Sequence, residues 1–261
     1  MPETTLRKGD RVVRFERGGR VEIGRLVEEG EVELLDGEDL FSGGRERLTG
    51  ARRLPPCEPG AIWCVGKNYL DHAREMESVP PSEPCIFLKA LTALAAHEDV
   101  VRFPSWAGRI DYEGELAVVI GEDCRNVPEA EALDVVRGYA CFNDVTARDL
   151  QREDGQWTRG KGFDGFGPLG PCLLIAREMP AEAVLRTRLN GRVVQESVLG
   201  NMIFGVARVI AHVSRFATLH AGDVIATGTP SGVGPVRDGD TVEVEIDGIG
   251  VLRNRFAEER G

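Results

Sequence analysis

The sequence predicts an α+β fold with a strand-rich core. Strand-like runs outnumber stretches with helical spacing, and the two kinds do not alternate regularly, which argues against a doubly wound parallel sheet. Turn pairs such as Asn190-Gly191 and Asp247-Gly248 join neighbouring strand-like runs directly. With 261 residues, 42% hydrophobic and 29% charged, the chain has ample material for a buried core.

Taken in order, residues 1–55 read as a small N-terminal β module. Arg11–Phe15, Arg20–Ile23 and Glu31–Leu34 alternate apolar and charged residues and are separated by Gly18-Gly19 and Gly30, the pattern of a half-exposed meander. Pro55-Pro56 and Pro59-Gly60 mark a boundary, and a larger domain spans 60–261. Within it, Glu113–Ile120 is a strand. Pro128–Arg137 reads as a helix with Pro near its start and Gly138 as its stop. Gly138–Asn143 is a further strand, and Thr146–Asp149 resembles a capping box opening a helix. Val184–Leu189 and Val193–Ser197 form a hairpin about Asn190-Gly191. Apolar residues at 206, 209, 210, 213 and 216 give Phe204–Phe216 the spacing of an amphipathic helix. Thr241–Ile246 and Val251–Phe256 close the chain as paired strands.

Charge and cysteine usage exclude several function classes. Lys and Arg total 32 against 43 Asp and Glu, a net charge of −11, so a basic nucleic-acid footprint is absent. No apolar stretch approaches the roughly 18 residues of a membrane span, and residues 1–10 lack a secretory apolar region. Six scattered cysteines without a CxxC pair disfavour zinc-ribbon and disulfide frameworks. A cytoplasmic location is expected.

Five segments carry chemistry. Glu113 and Glu115 lie two apart on a strand that runs into an apolar core, so they share a face; adjacent carboxylates there are costly without a cation. A hard-metal site and a solvated acidic edge are both open on spacing alone. Asp144 stands where an apolar strand gives way to a helix, as a third oxygen ligand or simply as an N-cap. Arg148 and Gln151 share a face of that helix. Gly155–Lys161 nearly spells a phosphate loop, but Gly162 replaces the required Ser or Thr; what survives is Lys161 on a glycine-rich loop, suited to an anionic group or merely solvated. In the fourth segment Asn68 reads as an N-cap, with His72 and Glu75 three apart on one helical face, either a base pair for activating water or a chance pair. The turn Asp223–Gly234, which contains Thr229, reads as a carboxylate-binding nest or a structural tight turn.

In this order the segments resemble the fumarylacetoacetate hydrolase superfamily. The resemblance rests on Cys64–Met76, the Glu113/Glu115 pair, Asn143–Asp149, Trp157–Phe163, and Leu189-Asn-Gly through Gly228–Gly234. It runs from about residue 60 to the C-terminus and looks closest to prokaryotic members of the 2-hydroxyhepta-2,4-diene-1,7-dioate isomerase and acylpyruvate hydrolase type. It implies a strand-rich mixed β-roll, usually a homodimer, behind the small N-terminal module. It further implies that Glu113, Glu115 and Asp144 bind Mg²⁺ or Mn²⁺ and that His72 and Glu75 activate water. Arg148, Gln151, Lys161 and Thr229 would contact a small anionic 2-oxo or β-diketo acid, with Lys161 in a catalytic role. Members with one such site catalyse isomerisation, C–C bond hydrolysis or decarboxylation, because all pass through a metal-stabilised enolate. The isomerase is the leading expectation, ahead of an acylpyruvate or fumarylpyruvate hydrolase and an oxaloacetate decarboxylase. A 2-oxo-acid-binding protein on the same fold is the non-enzymatic alternative.

Overall fold

The computed structural model describes residues 5–28, 30–35, 41–71 and 81–259. Its central strand is Gly114–Ile120, in which every residue is buried. Leu116, Val118 and Ile120 enter one apolar cluster with Tyr139, Leu185 and Ile210. Ala117 and Val119 enter another with Cys64, Phe142 and Leu169. The segment reads as a continuous apolar run because a strand covered on both faces loses the alternation of a half-exposed one.

This strand belongs to a mixed twelve-stranded sheet. Val136–Asn143 runs antiparallel beside it, followed by Gly167–Leu174; on the other side lie Val224–Ala226, Ile62–Gly66 and Cys85–Lys89. The meander comprises Arg11–Arg17, Arg20–Glu28 and Glu31–Leu35, with Phe41–Arg47 and Arg52–Leu54 as two strands beyond those predicted. Its first strand pairs with Gly167–Leu174 at Arg11↔Leu174 and Val12↔Leu173, so the meander extends the central sheet. A five-stranded sheet runs Arg192–Val198, Val184–Leu189, Thr241–Ile246, Gly250–Glu259, Val100–Pro104. It packs on the first through Leu185, Val244, Ile246 and Leu252. These strand-rich mixed sheets with few helices are the α+β architecture that the sequence predicts.

The Asn190-Gly191 turn and the Val206–Phe216 helix form where expected. Both turn residues have positive φ, 51° and 79°, and Val209, Ile210 and Val213 are buried. The Pro128–Arg137 segment differs. Only Glu129–Glu131 makes a 3₁₀ turn, and Val136 begins a strand paired with Ile120. Sheet pairing of the β-branched end outweighs a short, weakly nucleated helix. The helix expected after Thr146 begins at Arg148, with no side-chain cap. Thr146 Oγ1 instead donates to the Asp144 carbonyl, and Asp149 accepts from the Arg109 N–H. Asn68, read as an N-cap, donates to the Phe204 and Thr227 carbonyls and accepts from the Phe204 N–H. All six cysteines are free thiols, and no helix among the described residues is long and apolar enough to cross a membrane.

Candidate active site

Strand register builds the acidic centre. Gly114 pairs with Asn143, which sets Glu113 opposite Asp144; the Asp144 N–H donates to the Glu113 carbonyl at 2.8 Å. Asn143 Oδ1 accepts from the Glu113 N–H at 3.0 Å and fixes the other half of the junction. Glu113, Glu115 and Asp144 each place a carboxylate oxygen within 4.8 Å of the others, and all three residues are buried.

Around them runs a chain of alternating charges. Arg109 pairs with Asp111 at 2.6 Å, and Asp111 with Arg148 Nε at 2.9 Å. Arg148 also holds one oxygen of Glu113. Lys161 Nζ bridges Glu113 Oε2 at 2.8 Å and Asp144 Oδ2 at 2.6 Å. Lys89 Nζ takes the second oxygen of Asp144 at 2.6 Å. Glu115 stands apart: its Oε2 accepts from the Gly228 N–H at 2.7 Å, and no cationic side chain pairs with it among the described residues. Burial, then the charges of Asp144 and Glu113, push its carboxyl well above the usual range. Three buried carboxylates converging through hard oxygen donors, one of them without a cation, suit Mg²⁺ or Mn²⁺.

Lys161 is buried at the end of a short helix, Thr158–Lys161, and not on a solvated loop. Burial pulls its ammonium toward neutrality, but Asp144 and Glu113 outweigh that and raise it above the ordinary lysine value. Arg148 Nη1 donates to Gln151 Oε1 at 2.7 Å, which leaves the Gln151 amide N–H groups for a ligand. Thr229 Oγ1 donates to the Gly114 carbonyl and accepts from Gln195, so it meets a ligand as an acceptor. From the Asp223–Gly234 turn a single backbone N–H, that of Gly228, donates to the protein's own Glu115 carboxylate. His72 and Glu75 lie outside the described residues.

Glu113, Glu115, Asp144, Arg148, Gln151, Lys161 and Thr229 line a cavity of about 270 Å³. One wall is aromatic. Trp157 meets Phe87 edge-on at 5.0 Å, and Phe87 carries the Lys161 ammonium 5.1 Å from its ring centroid. Gly66 lets Trp157 close over the strand, since a Cβ there would lie 2.7 Å from the indole. A larger cleft of about 870 Å³ lies where the meander meets the two larger sheets. Four arginines and four carboxylates share its wall, and it holds none of the acidic triad.

The family described as Fumarylacetoacetate (FAA) hydrolase C-terminal matches residues 61–257. The chain belongs to this family. Among its relatives is the oxaloacetate tautomerase FAHD1, mitochondrial, of Bos taurus, 43% identical over 206 residues, covering 76% of this chain and 91% of the bovine protein. The 2-hydroxyhepta-2,4-diene-1,7-dioate isomerase of Mycobacterium marinum superposes with a TM-score of 0.89 at 38% identity, over 97% of this chain and all of that one. The fumarylpyruvate hydrolase of Pseudomonas aeruginosa, solved with Mn²⁺ and pyruvate, aligns with a TM-score of 0.73 and 36% identity, over 80% of this chain and 92% of its own. Fumarylacetoacetate hydrolase relatives thus include a tautomerase, an isomerase and a hydrolase.

Two residues of the site were not singled out by sequence reasoning. Lys89 ends the apolar strand Cys85–Lys89 and is buried against Asp144. Gln195 reaches from a different sheet to the Gly114 N–H and to Thr229. The usable signal was lysine scarcity: of four lysines in the chain, Lys67, Lys89 and Lys161 all belong to this site.

Proposed function

We propose that the protein is a divalent-metal-dependent isomerase of 2-oxo acids, of the 2-hydroxyhepta-2,4-diene-1,7-dioate type, working as a homodimer. The observation that carries this reading is the buried Glu113–Glu115–Asp144 cluster beside a bridging lysine. Those three residues would hold Mg²⁺ or Mn²⁺. When bound, the ion supplies Lewis acidity that favours enolisation of a chelated 2-oxo acid.

The chain's own groups supply the rest. Arg109, Arg148, Lys161 and Lys89 stand against Asp111, Glu113 and Asp144, with Glu115 pushed toward its neutral form; a bound dication would favour its ionised form and leave a positive surplus that an anionic substrate offsets. Lys161 stays an ammonium and acts as an electrostatic partner for charge developing on a keto oxygen, not as the base. Gln151, oriented by Arg148, donates to the substrate carboxylate, and Thr229 accepts an enol hydroxyl. Proton transfer, or water activation in a hydrolytic relative, falls to His72 with Glu75. The aromatic wall of Phe87 and Trp157 limits water around the enolate.

C–C bond hydrolysis is the second reading, supported by the likeness to the fumarylpyruvate hydrolase. The test is turnover of oxaloacetate, acylpyruvates and a hydroxyheptadienedioate with Mg²⁺, after chelation, and after metal add-back. Isomerisation without new carbon fragments is expected; fragment release would select the hydrolase. Chelation should abolish turnover and Glu113→Ala should be inactive. Activity that survives metal removal overturns the reading, and metal-dependent binding without turnover of any substrate would identify a binding protein.

A further inference from the structure

The cleft of about 870 Å³ lies outside the triad cavity and contains two arginines without partners. On its wall, Arg52 is held by Asp99 and Arg253 by Glu98. Glu243 stands opposite Arg253 in strand register, and Glu28 is exposed at the end of its strand. Arg11 and Arg53 are half-buried, and neither has an ion pair or side-chain hydrogen bond among the described residues. A guanidinium cannot escape the cost of burial by losing its proton, so such a pair points to an anion from outside the chain.

Strand register brings the two together. Arg20–Glu28 covers one edge of Arg11–Arg17, so Gly167–Leu174 and Arg52–Leu54 share the other edge, end to end. Arg11 pairs with Leu174 and Arg53 with Phe15. Residues 11, 13 and 15 point to one face, and their partners across the pairing point with them. Val13, Phe15, Cys172 and Leu174 accordingly enter one apolar cluster. Cys172 falls at the join, between the two arginines. Burial raises its thiol to about 11, and the charges of Arg11 and Arg53 both oppose that rise, so both act at the same point. About 13 Å of strand separates residues 11 and 15, a gap that two arginine side chains fill with one small anion between them.

A third donor stands beside them. The His97 Cβ is 3.6 Å from where a Cβ on Gly170 would lie, two residues from Cys172. Its Nδ1 accepts from the Arg253 N–H at 3.1 Å, so the neutral ring carries its proton on Nε2. Nε2 is 3.8 Å from Glu98 Oε1, beyond hydrogen-bond range.

We propose that this cleft binds a phosphorylated small molecule, with its phosphate between Arg11 and Arg53 and His97 Nε2–H as a further donor. Two unpaired positive charges match a phosphate monoester, which carries about −2 at neutral pH, and three donor groups match its three terminal oxygens. A carboxylate offers one charge and two oxygens. The cleft is far larger than phosphate alone, and Leu26, Leu48 and Val251 give it an apolar wall for the rest of the ligand. No residue of the triad lines it, so the site stands independently of the 2-oxo-acid reading. Arg11 and Arg53 belong to residues 1–55 and His97 does not; a bound phosphate therefore bridges the meander and the rest of the fold.

The experiment is calorimetric titration of the full chain with inorganic phosphate, glycerol 3-phosphate and AMP, with acetate as the carboxylate control. Phosphate should bind with a Kd of about 1 mM or lower, acetate about tenfold more weakly, and one of the esters about tenfold more tightly than phosphate. Arg11→Gln with Arg53→Gln should lower phosphate affinity about 100-fold, and Arg53→Gln alone about tenfold. Arg152→Gln, in the triad cavity, should leave it unchanged. Phosphate should raise the melting temperature of the intact chain and not that of the double variant. No binding of phosphate by about 10 mM, or an affinity that survives Arg53→Gln, overturns the site. A loss in Arg152→Gln would place the anion in the other cavity and overturns it too. Acetate binding as tightly as phosphate, or both esters binding no more tightly than phosphate, overturns the assignment to a phosphorylated molecule.

Discussion

Glu115 is the carboxylate whose position depends on backbone alone. Gly228 has a φ of +94°, and a Cβ there would lie 2.8 Å from Asn68 Cβ and 3.0 Å from the Val65 carbonyl. Its N–H is the donor that orients Glu115. Gly228→Ala should therefore shift that donor and weaken Mn²⁺ affinity about 10- to 100-fold, the usual size of an effect on groups that hold a metal ligand. Titration of Mn²⁺ by electron paramagnetic resonance measures it, and unchanged affinity would show that Glu115 is held by other means. The triad was legible in the sequence because two glutamates on one strand face and an aspartate at a strand end are local patterns. Lys89 was not. Its partner Asp144 lies 55 residues away, and only the folded register brings them within 2.6 Å. Lysine at this position has a physical reason in a chain with so many arginines: a compact ammonium is satisfied by Asp144 Oδ1 and the Val145 carbonyl, where the five donors of a guanidinium would need more partners.

Among the elements, the hairpin Val184–Leu189 and Arg192–Val198 supports the site strand from a separate sheet. Gln195 accepts from the Gly114 N–H at 3.0 Å and donates to Thr229 Oγ1 at 2.8 Å. Across from it, Thr187 is buried with a hydroxyl that finds no partner among the described residues, at the place where a Cβ on residue 114 would otherwise go. Thr187→Val removes an unsatisfied polar atom at nearly constant shape and should leave stability unchanged or raise it by about 1 kcal/mol. A fall in denaturant midpoint would reveal a partner for that hydroxyl. The hairpin itself was readable from Asn190-Gly191, and the Val206–Phe216 helix from its apolar spacing, since both signals are local. The Pro128–Arg137 helix failed for the opposite reason. Val136 is fixed by pairing with Ile120 on a distant strand, which no window of neighbouring residues reveals.

At the level of the whole molecule, the cleft beneath the meander contains a histidine that responds to acid. His97 is lowered to about 4, first by burial and then by Arg53 and Arg253, with Glu98 opposing. Its Nδ1 accepts from the Arg253 N–H at 3.1 Å, a bond that protonation of that nitrogen removes. An unfolded histidine titrates near 6.5, so the stability His97 contributes is complete above that pH and is lost as pH falls toward 4. His97→Gln should flatten the decline of melting temperature between pH 7 and 4; an identical decline would exclude His97 as its source. The same region has a consequence for aggregation. Arg11 and Val12 cover Leu174 and Leu173 on the Gly167–Leu174 strand. Without residues 1–55, the amides and carbonyls there would form an open edge, a template for any passing strand. The meander thus acts as a guard that keeps the central sheet from recruiting a neighbour.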